Sequence, residues 1–212
     1  FSLFAFFLAI FSTEKALIFP FILLLFEFSF NSLSKNWRRV IPFFLLASSW
    51  FFIFFSQGAL TGRVTTLQTE YYQKPGLENP LIQIPVALSS YLELIFWPKN
   101  LTLYHSEMMF TQINYFIRVL VTLGLFVTII FSFRKNKTIF FWLSFFLITL
   151  LPTLTPLKLS WIVAERYVYL GSLGIFVLLG MAIQKVSWIT KNPKAGWIIL
   201  GLILAILATR TI

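Results

Sequence analysis

Apolar runs separated by short polar breaks recur along almost the whole chain. They predict seven helices, at about residues 1–11, 15–33, 40–57, 114–133, 138–152, 167–184 and 196–210. A membrane span needs about 20 apolar residues, and the shorter runs must borrow flanking residues or lie in a thinned region. Lipid requires each backbone polar group to be bonded within its own helix. The pattern is therefore typical of an all-α, polytopic membrane protein.

The composition supports this class. The chain has 212 residues, of which 58% are hydrophobic and 11% charged. A soluble domain has about 45–50% apolar and 25% charged residues. Cysteine is absent, which excludes disulfides and thiolate metal sites, and we expect neither a metal nor another cofactor.

The net charge of +10 invites a nucleic-acid interpretation, but the basic residues are confined mainly to short clusters between the apolar runs. Nine cations and no acid occupy three segments, 34–39, 134–138 and 185–195. Two predicted spans separate each segment from the next, so one topology puts all three on the same side. Cytoplasmic loops are enriched in Lys and Arg, which predicts that this side is cytoplasmic. No nucleic-acid partner is expected.

The same topology places the long segment 57–113 and the loop 153–166 on the exoplasmic side. The middle part of the segment 57–113, PLIQIPVALSSYLELIFWPKN, is apolar but carries Glu93 and several prolines. We interpret it as an amphipathic or re-entrant element at the outer interface. An eighth span is the alternative, although it would upset the common side of the basic segments.

Three polar clusters remain on the expected outer side. Their candidate chemical groups are Glu14 and Lys15, then Lys99 and His105, then Glu165, Arg166 and Tyr169. Each has a structural explanation as well: an acid in a first helical turn, a lysine reaching the headgroups, an ordinary ion pair. However, ionisable groups at the ends of apolar helices often mark substrate paths, and the guanidinium fork of an arginine suits a phosphate. A nearby carboxylate can orient the arginine or act as a base.

The stretches STEKALIFP, FWPKNLTLYH and AERYVYLGSLG, in this order, resemble the membrane region of the transmembrane and tetratricopeptide repeat (TMTC) proteins and their bacterial relatives. The resemblance covers about residues 8–180, and its most specific part is the motif from Glu165 to Tyr169. The chain departs from the family pattern at Thr13, where the family usually has Lys, and at Gly171, where Pro is common.

This resemblance implies a partial membrane domain of the GT-C glycosyltransferase superfamily. Such enzymes move a sugar from a polyprenyl-phosphate donor to an acceptor on the exoplasmic side, and the eukaryotic members are associated with protein O-mannosylation. In this chain Arg166, with Lys15, Lys99 and Tyr169, would bind the donor phosphate. The catalytic candidates are Glu14, Glu165 and His105, with His105 near the acceptor entrance. The expected location is a bacterial inner membrane with a periplasmic active face.

The chain begins at Phe1 inside an apolar run and contains no Asp. We therefore expect a fragment, 1–212, whose main catalytic acids lie upstream in a first outer loop and whose repeats follow. Alone it would be inactive. The alternative function is a non-catalytic anchor that displays tetratricopeptide repeats for protein binding. A transporter of lipid-linked sugars is a third hypothesis, with Glu27 as its main intramembrane polar residue.

Overall fold

The computed structural model describes residues 1–30, 33–56, 79–98, 101, 111–154 and 163–211. These residues contain helices and no strand, which confirms the predicted all-α class. The elements in chain order are α1 (Ser2–Ser12), a first 3₁₀ helix (Glu14–Ile18), α2 (Phe19–Phe30), α3 (Leu33–Ser56), α4 (Pro80–Phe96), α5 (Gln112–Lys135), α6 (Lys137–Leu150), a second 3₁₀ helix (Leu151–Thr153), α7 (Glu165–Ile189) and α8 (Pro193–Thr211).

A helix lies at each of the seven expected positions, but two boundaries are corrected. Helix α3 begins at Leu33, so the basic segment 34–39 forms its first turns and is not a connection. Lys and Arg are good helix formers, which explains why the helix extends through it. The run expected at 15–33 is divided, because a 3₁₀ helix precedes α2 and Thr13 caps it, accepting a hydrogen bond from the backbone N–H of Lys15.

Polar side chains make the reversals at the ends of α5 and α7 short. Asn136 is the only residue between α5 and α6, and its side chain accepts hydrogen bonds from the backbone N–H groups of Thr138 and Ile139. After α7, Lys191 adopts a left-handed φ of 52°, and the side chain of Asn192 accepts from the backbone N–H of Lys194. Capping of this kind satisfies N–H groups that have no partner within the helix.

Two pairs of neighbouring helices, α2 with α3 and α6 with α7, run antiparallel. Phe21 of α2 packs on Phe44 of α3, while Asn36 near the start of α3 donates to Glu27 near the end of α2. Gly171 of α7 faces Thr149 near the end of α6, and Gly174 faces Trp142, closer to its start.

This alternation brings the end of α2, α5 and α7 together with the start of α3, α6 and α8. The three basic segments therefore lie at one end of the bundle, which we call the basic end. The start of α2, the end of α6 and the start of α7 lie at the opposite end.

Among the described residues, two helices are long and apolar enough to cross a membrane, α5 with 24 residues and α7 with 25. Only 17% and 28% of their apolar stretches are buried. A soluble protein buries most of such a surface, since large exposed apolar patches mark sites of interaction or membrane contact. This exposure supports association with a membrane; it does not confirm the seven spans expected from the sequence.

Helix α4, inside the long segment 57–113, packs into the core rather than lying over it. Ala87, Leu88 and Tyr91 are at most 1% exposed and belong to the main apolar cluster with residues of α5, α6 and α7. It crosses α5 instead of running alongside it. The hydroxyl of Tyr115 donates to the carbonyl of Leu81, whereas Arg118, three residues on, reaches Glu93 near the other end of α4.

Candidate functional site

The structure brings together two of the three polar clusters expected from the sequence. Lys15 lies on the first 3₁₀ helix, and the first turn of α7 carries Glu165 and Arg166. Tyr169 follows them on α7 and is 77% exposed. The backbone of Glu14 begins the 3₁₀ helix, but its side chain lies outside the described part of the chain, as do Lys99 and His105.

Tyr167 is the point on which the cations converge. The ammonium nitrogen of Lys15 lies 3.3 Å from the centroid of its ring. The guanidinium of Arg166 lies over the same ring, 5.1 Å from the centroid, and its Nη2 donates to the Tyr167 hydroxyl at 3.1 Å. The negative face of an aromatic ring attracts cations, so it holds them where they would otherwise repel each other. Two positive groups are thus fixed within one small region.

The start of α7 is positioned by burial and by close packing. Val163 and Ala164, directly before the helix, are at most 1% exposed, and Tyr167 itself is 8% exposed. Further along α7, Gly171 and Gly174 allow α6 to approach closely. A Cβ on either would lie 2.7 Å or less from an atom of α6. The position of Arg166 therefore depends on a rigid contact between two helices.

A cavity of about 560 Å³ opens beside this cluster. Its walls come from α1, the first 3₁₀ helix, the start of α2, Thr149 of α6 and the first turns of α7. Along α1 the lining is mainly apolar, through Ala5, Phe6 and Ala9, whereas Thr13 and Lys15 lie past the end of α1 with Arg166 and Tyr167. The cavity is thus apolar along its body and cationic at one end.

This arrangement suits a ligand with an anionic head and an apolar tail. The guanidinium fork and the ammonium group donate charge-assisted hydrogen bonds to a phosphate, which are about twice as strong as neutral ones. Apolar surface gains about 25 cal/mol per Å² when it leaves water, so a hydrocarbon chain along α1 adds affinity. The first turn of α7 also carries a carboxylate, that of Glu165, next to Arg166 in the sequence.

Sequence reasoning missed Tyr167 as the centre of the cluster, since it singled out Tyr169, two residues further on. Both tyrosines line the cavity, but only Tyr167 combines burial with contacts to both cations. The available signal was its place beside Arg166 on a helix start. The sequence did not show that Lys15, from another helix, would contact the ring of Tyr167.

Arg118 was also missed, although an arginine within an apolar run is itself a signal of function or tertiary pairing. Its Nη1 donates to the hydroxyls of Ser90 at 2.8 Å and Ser89 at 3.0 Å, and its Nη2 pairs with Glu93 at 3.3 Å. Its Nε is buried and has no hydrogen-bond partner among the described residues. These contacts attach α4 to α5. Gln83 of α4 in turn donates to the carbonyl of Thr153, beyond the end of α6.

Within the described residues, no group of three or more His, Cys, Asp or Glu side chains is placed to hold a metal ion. The expectation that no metal takes part stays a prediction. Comparison of the chain with protein-family models, curated proteins and solved structures finds no match in any of the three. Function is therefore inferred from the geometry of the site and from the motifs in the sequence.

Proposed function

We propose that this chain is the membrane region of a GT-C-type glycosyltransferase that moves a sugar from a polyprenyl-phosphate donor to a protein or other acceptor. The observation that supports this most is the pair of cations on Tyr167 at one end of a largely apolar cavity. A polyprenyl phosphate has this combination of charge and hydrocarbon. The resemblance to TMTC proteins supplies the type of reaction, a transfer like that of the O-mannosyltransferases.

In this proposal the seven helices expected from the sequence cross or enter the bilayer, and α4 is the element that the sequence placed at the outer interface. From Arg166 to Lys185 along α7 is about 28 Å at 1.5 Å per residue, close to the hydrocarbon thickness of about 30 Å. Because the basic end favours the cytoplasm, the cation cluster faces the exoplasmic side, which is the periplasm of a bacterium.

The chemistry assigns a role to each charge. An acceptor hydroxyl oxygen attacks the anomeric carbon of the sugar, while the bond from that carbon to the donor phosphate breaks. The phosphate leaves with the electron pair, and Arg166 and Lys15 stabilise the charge that develops on it. The proton of the hydroxyl passes to a carboxylate, for which Glu165 or Glu14 is the candidate in this chain, with acids outside it as the main expectation.

The test is incorporation of labelled sugar from a polyprenyl-phosphate donor by the full-length protein. Wild type is compared with Arg166→Ala at matched membrane expression. We expect transfer to fall by roughly 10- to 100-fold, because a hydrogen bond to a charged group contributes about 1.5–3 kcal/mol. Lys185→Ala is the matched control, because it removes an exposed cation from the same helix at the basic end. Its transfer should equal that of wild type.

Unchanged transfer in Arg166→Ala would contradict the proposal. Absence of transfer in wild type and both variants, with all three well folded, would instead favour the non-catalytic anchor. That alternative requires no bound phosphate, so changes at Glu165 and Arg166 would affect folding or nothing.

A further inference from the structure

A second cationic group lies at the basic end, where α5 turns into α6. We call it the turn cluster; it consists of Phe28, Phe133, Arg134, Lys135 and Lys137. The rings of Phe28 and Phe133 stack with an interplanar angle of 3° and centroids 5.5 Å apart. The ammonium nitrogen of Lys137 lies 4.4 Å from the Phe133 centroid and 5.1 Å from that of Phe28.

The other lysine of the turn cluster is held in a similar way. The ammonium nitrogen of Lys135 lies 4.5 Å from the centroid of Phe131. Arg134, Lys135 and Lys137 are nevertheless exposed, so their charges remain open to a ligand. Aromatic contacts thus restrict where the two ammonium groups lie without neutralising them.

The backbone adds to the positive potential. Lys137 is the first residue of α6, and the N-terminus of a helix carries about half a positive charge. The basic segments 34–39 and 185–195 lie at the same end of the bundle. Among the residues that the structure describes, one acid, Glu27, also lies at this end, and it accepts a hydrogen bond from Asn36. The net charge of the described residues at this end is therefore positive and favours binding of an anion.

An exposed apolar face of α5 leads directly to the turn cluster. It is formed by side chains that recur at helical spacing, namely Ile113, Phe116, Ile117, Leu120, Leu123, Val127, Ile130 and Phe131. From Ile113 to Phe131 the face is about 27 Å long at 1.5 Å per residue, comparable to the thickness of a hydrocarbon core. A headgroup at the turn cluster would therefore have its chains beside α5.

We propose that the turn cluster binds an anionic phospholipid, with the phosphate held by Arg134, Lys135 and Lys137 and the acyl chains along α5. The basic residues lie at the end of an apolar face that is about as long as a hydrocarbon core is thick. A lipid would cover both, whereas a nucleic acid or an acidic peptide would leave the apolar face uncovered. The site is separate from the cations on Tyr167, which lie at the opposite end of the bundle.

The test titrates phosphatidylglycerol or phosphatidylcholine into the full-length protein in neutral detergent, without sugar donor, and counts bound lipids by native mass spectrometry. Wild type should bind phosphatidylglycerol more tightly than phosphatidylcholine. Each basic residue near an anionic lipid surface contributes enough to change affinity by about fivefold. The double variant Lys135→Gln/Lys137→Gln should therefore bind phosphatidylglycerol about 25-fold more weakly, with phosphatidylcholine unchanged.

The matched control is Lys185→Gln/Lys194→Gln, which removes two exposed lysines from the same end but outside the turn cluster. It should keep most of the phosphatidylglycerol affinity. Lys137→Arg, which retains the charge, should bind as wild type does. Equal affinity of wild type for the two lipids would overturn the proposal, as would equal losses in the two double variants. Since no sugar transfer is measured, this result is independent of the proposed enzyme activity.

Discussion

At the scale of single residues, Tyr167 combines burial with contacts to two cations at the start of α7. It is 8% exposed, its ring carries the ammonium of Lys15, and its hydroxyl accepts from Arg166. Its neighbour Tyr169 is 77% exposed. The buried tyrosine holds two cations in place, whereas the exposed one lines the cavity.

We predict that Tyr167→Phe lowers the free energy of unfolding by about 1 kcal/mol, because it removes one charge-assisted hydrogen bond to an exposed arginine. Tyr167→Leu should cost more, about 1–3 kcal/mol, since the cation–π contact with Lys15 is lost as well. Denaturant unfolding of the full-length protein in detergent measures both. Tyr169→Phe is the control and should stay within about 0.5 kcal/mol of wild type. Wild-type stability in Tyr167→Leu would refute this role.

At the scale of elements, the pairing of α6 with α7 decides where the cationic cluster lies. A Cβ on Gly174 would be 2.6 Å from the carbonyl oxygen of Trp142, a backbone atom that cannot rotate away. A Cβ on Gly171 would be 2.7 Å from the Thr149 hydroxyl, and Thr149 lines the cavity. Small residues let helix backbones approach in this manner within membranes as well.

Gly174→Ala should therefore separate α6 from α7 and destabilise the protein by about 1–3 kcal/mol, as overpacking does. Gly180→Ala lies on the same helix, and no atom of the described residues lies within 4 Å of the added Cβ. It should be neutral or more stable by up to about 1 kcal/mol, because alanine favours the helix. Thermal unfolding measures the melting temperatures of the two variants. Equal melting temperatures would show that the close contact at Gly174 does not contribute to stability.

At the scale of the whole molecule, the bundle separates two kinds of positive charge. The cations on Tyr167 lie beside an apolar cavity at one end, and the basic segments lie at the other. A bilayer around α5 and α7 would place these two ends in different aqueous compartments.

The absence of cysteine makes this arrangement testable by single-cysteine labelling. Lys35→Cys and Lys194→Cys lie at the basic end, and Gln112→Cys lies at the start of α5, at the opposite end; all three positions are exposed. In sealed vesicles of one orientation, an impermeant maleimide should react with the first two from the same side and with Gln112→Cys only from the other. Reaction of all three from one side would contradict the transmembrane arrangement.

Much of the helical fold could be predicted from the sequence because apolar periodicity is a local property. The runs located α5 to within two residues at each end, and also found α6 and α8. The start of α3 was harder to predict. The charge of the basic segment 34–39 is typical of a connection between spans, although its residues favour a helix. Lys15, Arg166 and Tyr169 were selected from their motifs, and the structure brings all three to one cavity.

By itself, then, the sequence determined the all-α class, the placement of most helices and the confinement of basic residues to a few segments, because each depends on neighbours along the chain. The tertiary structure alone decided that α4 enters the core, that Arg118 attaches it to α5 and that Tyr167 receives Lys15 from another element. These contacts join residues far apart in the chain. They depend on which helices pack together and at what angle, which local apolar periodicity does not specify.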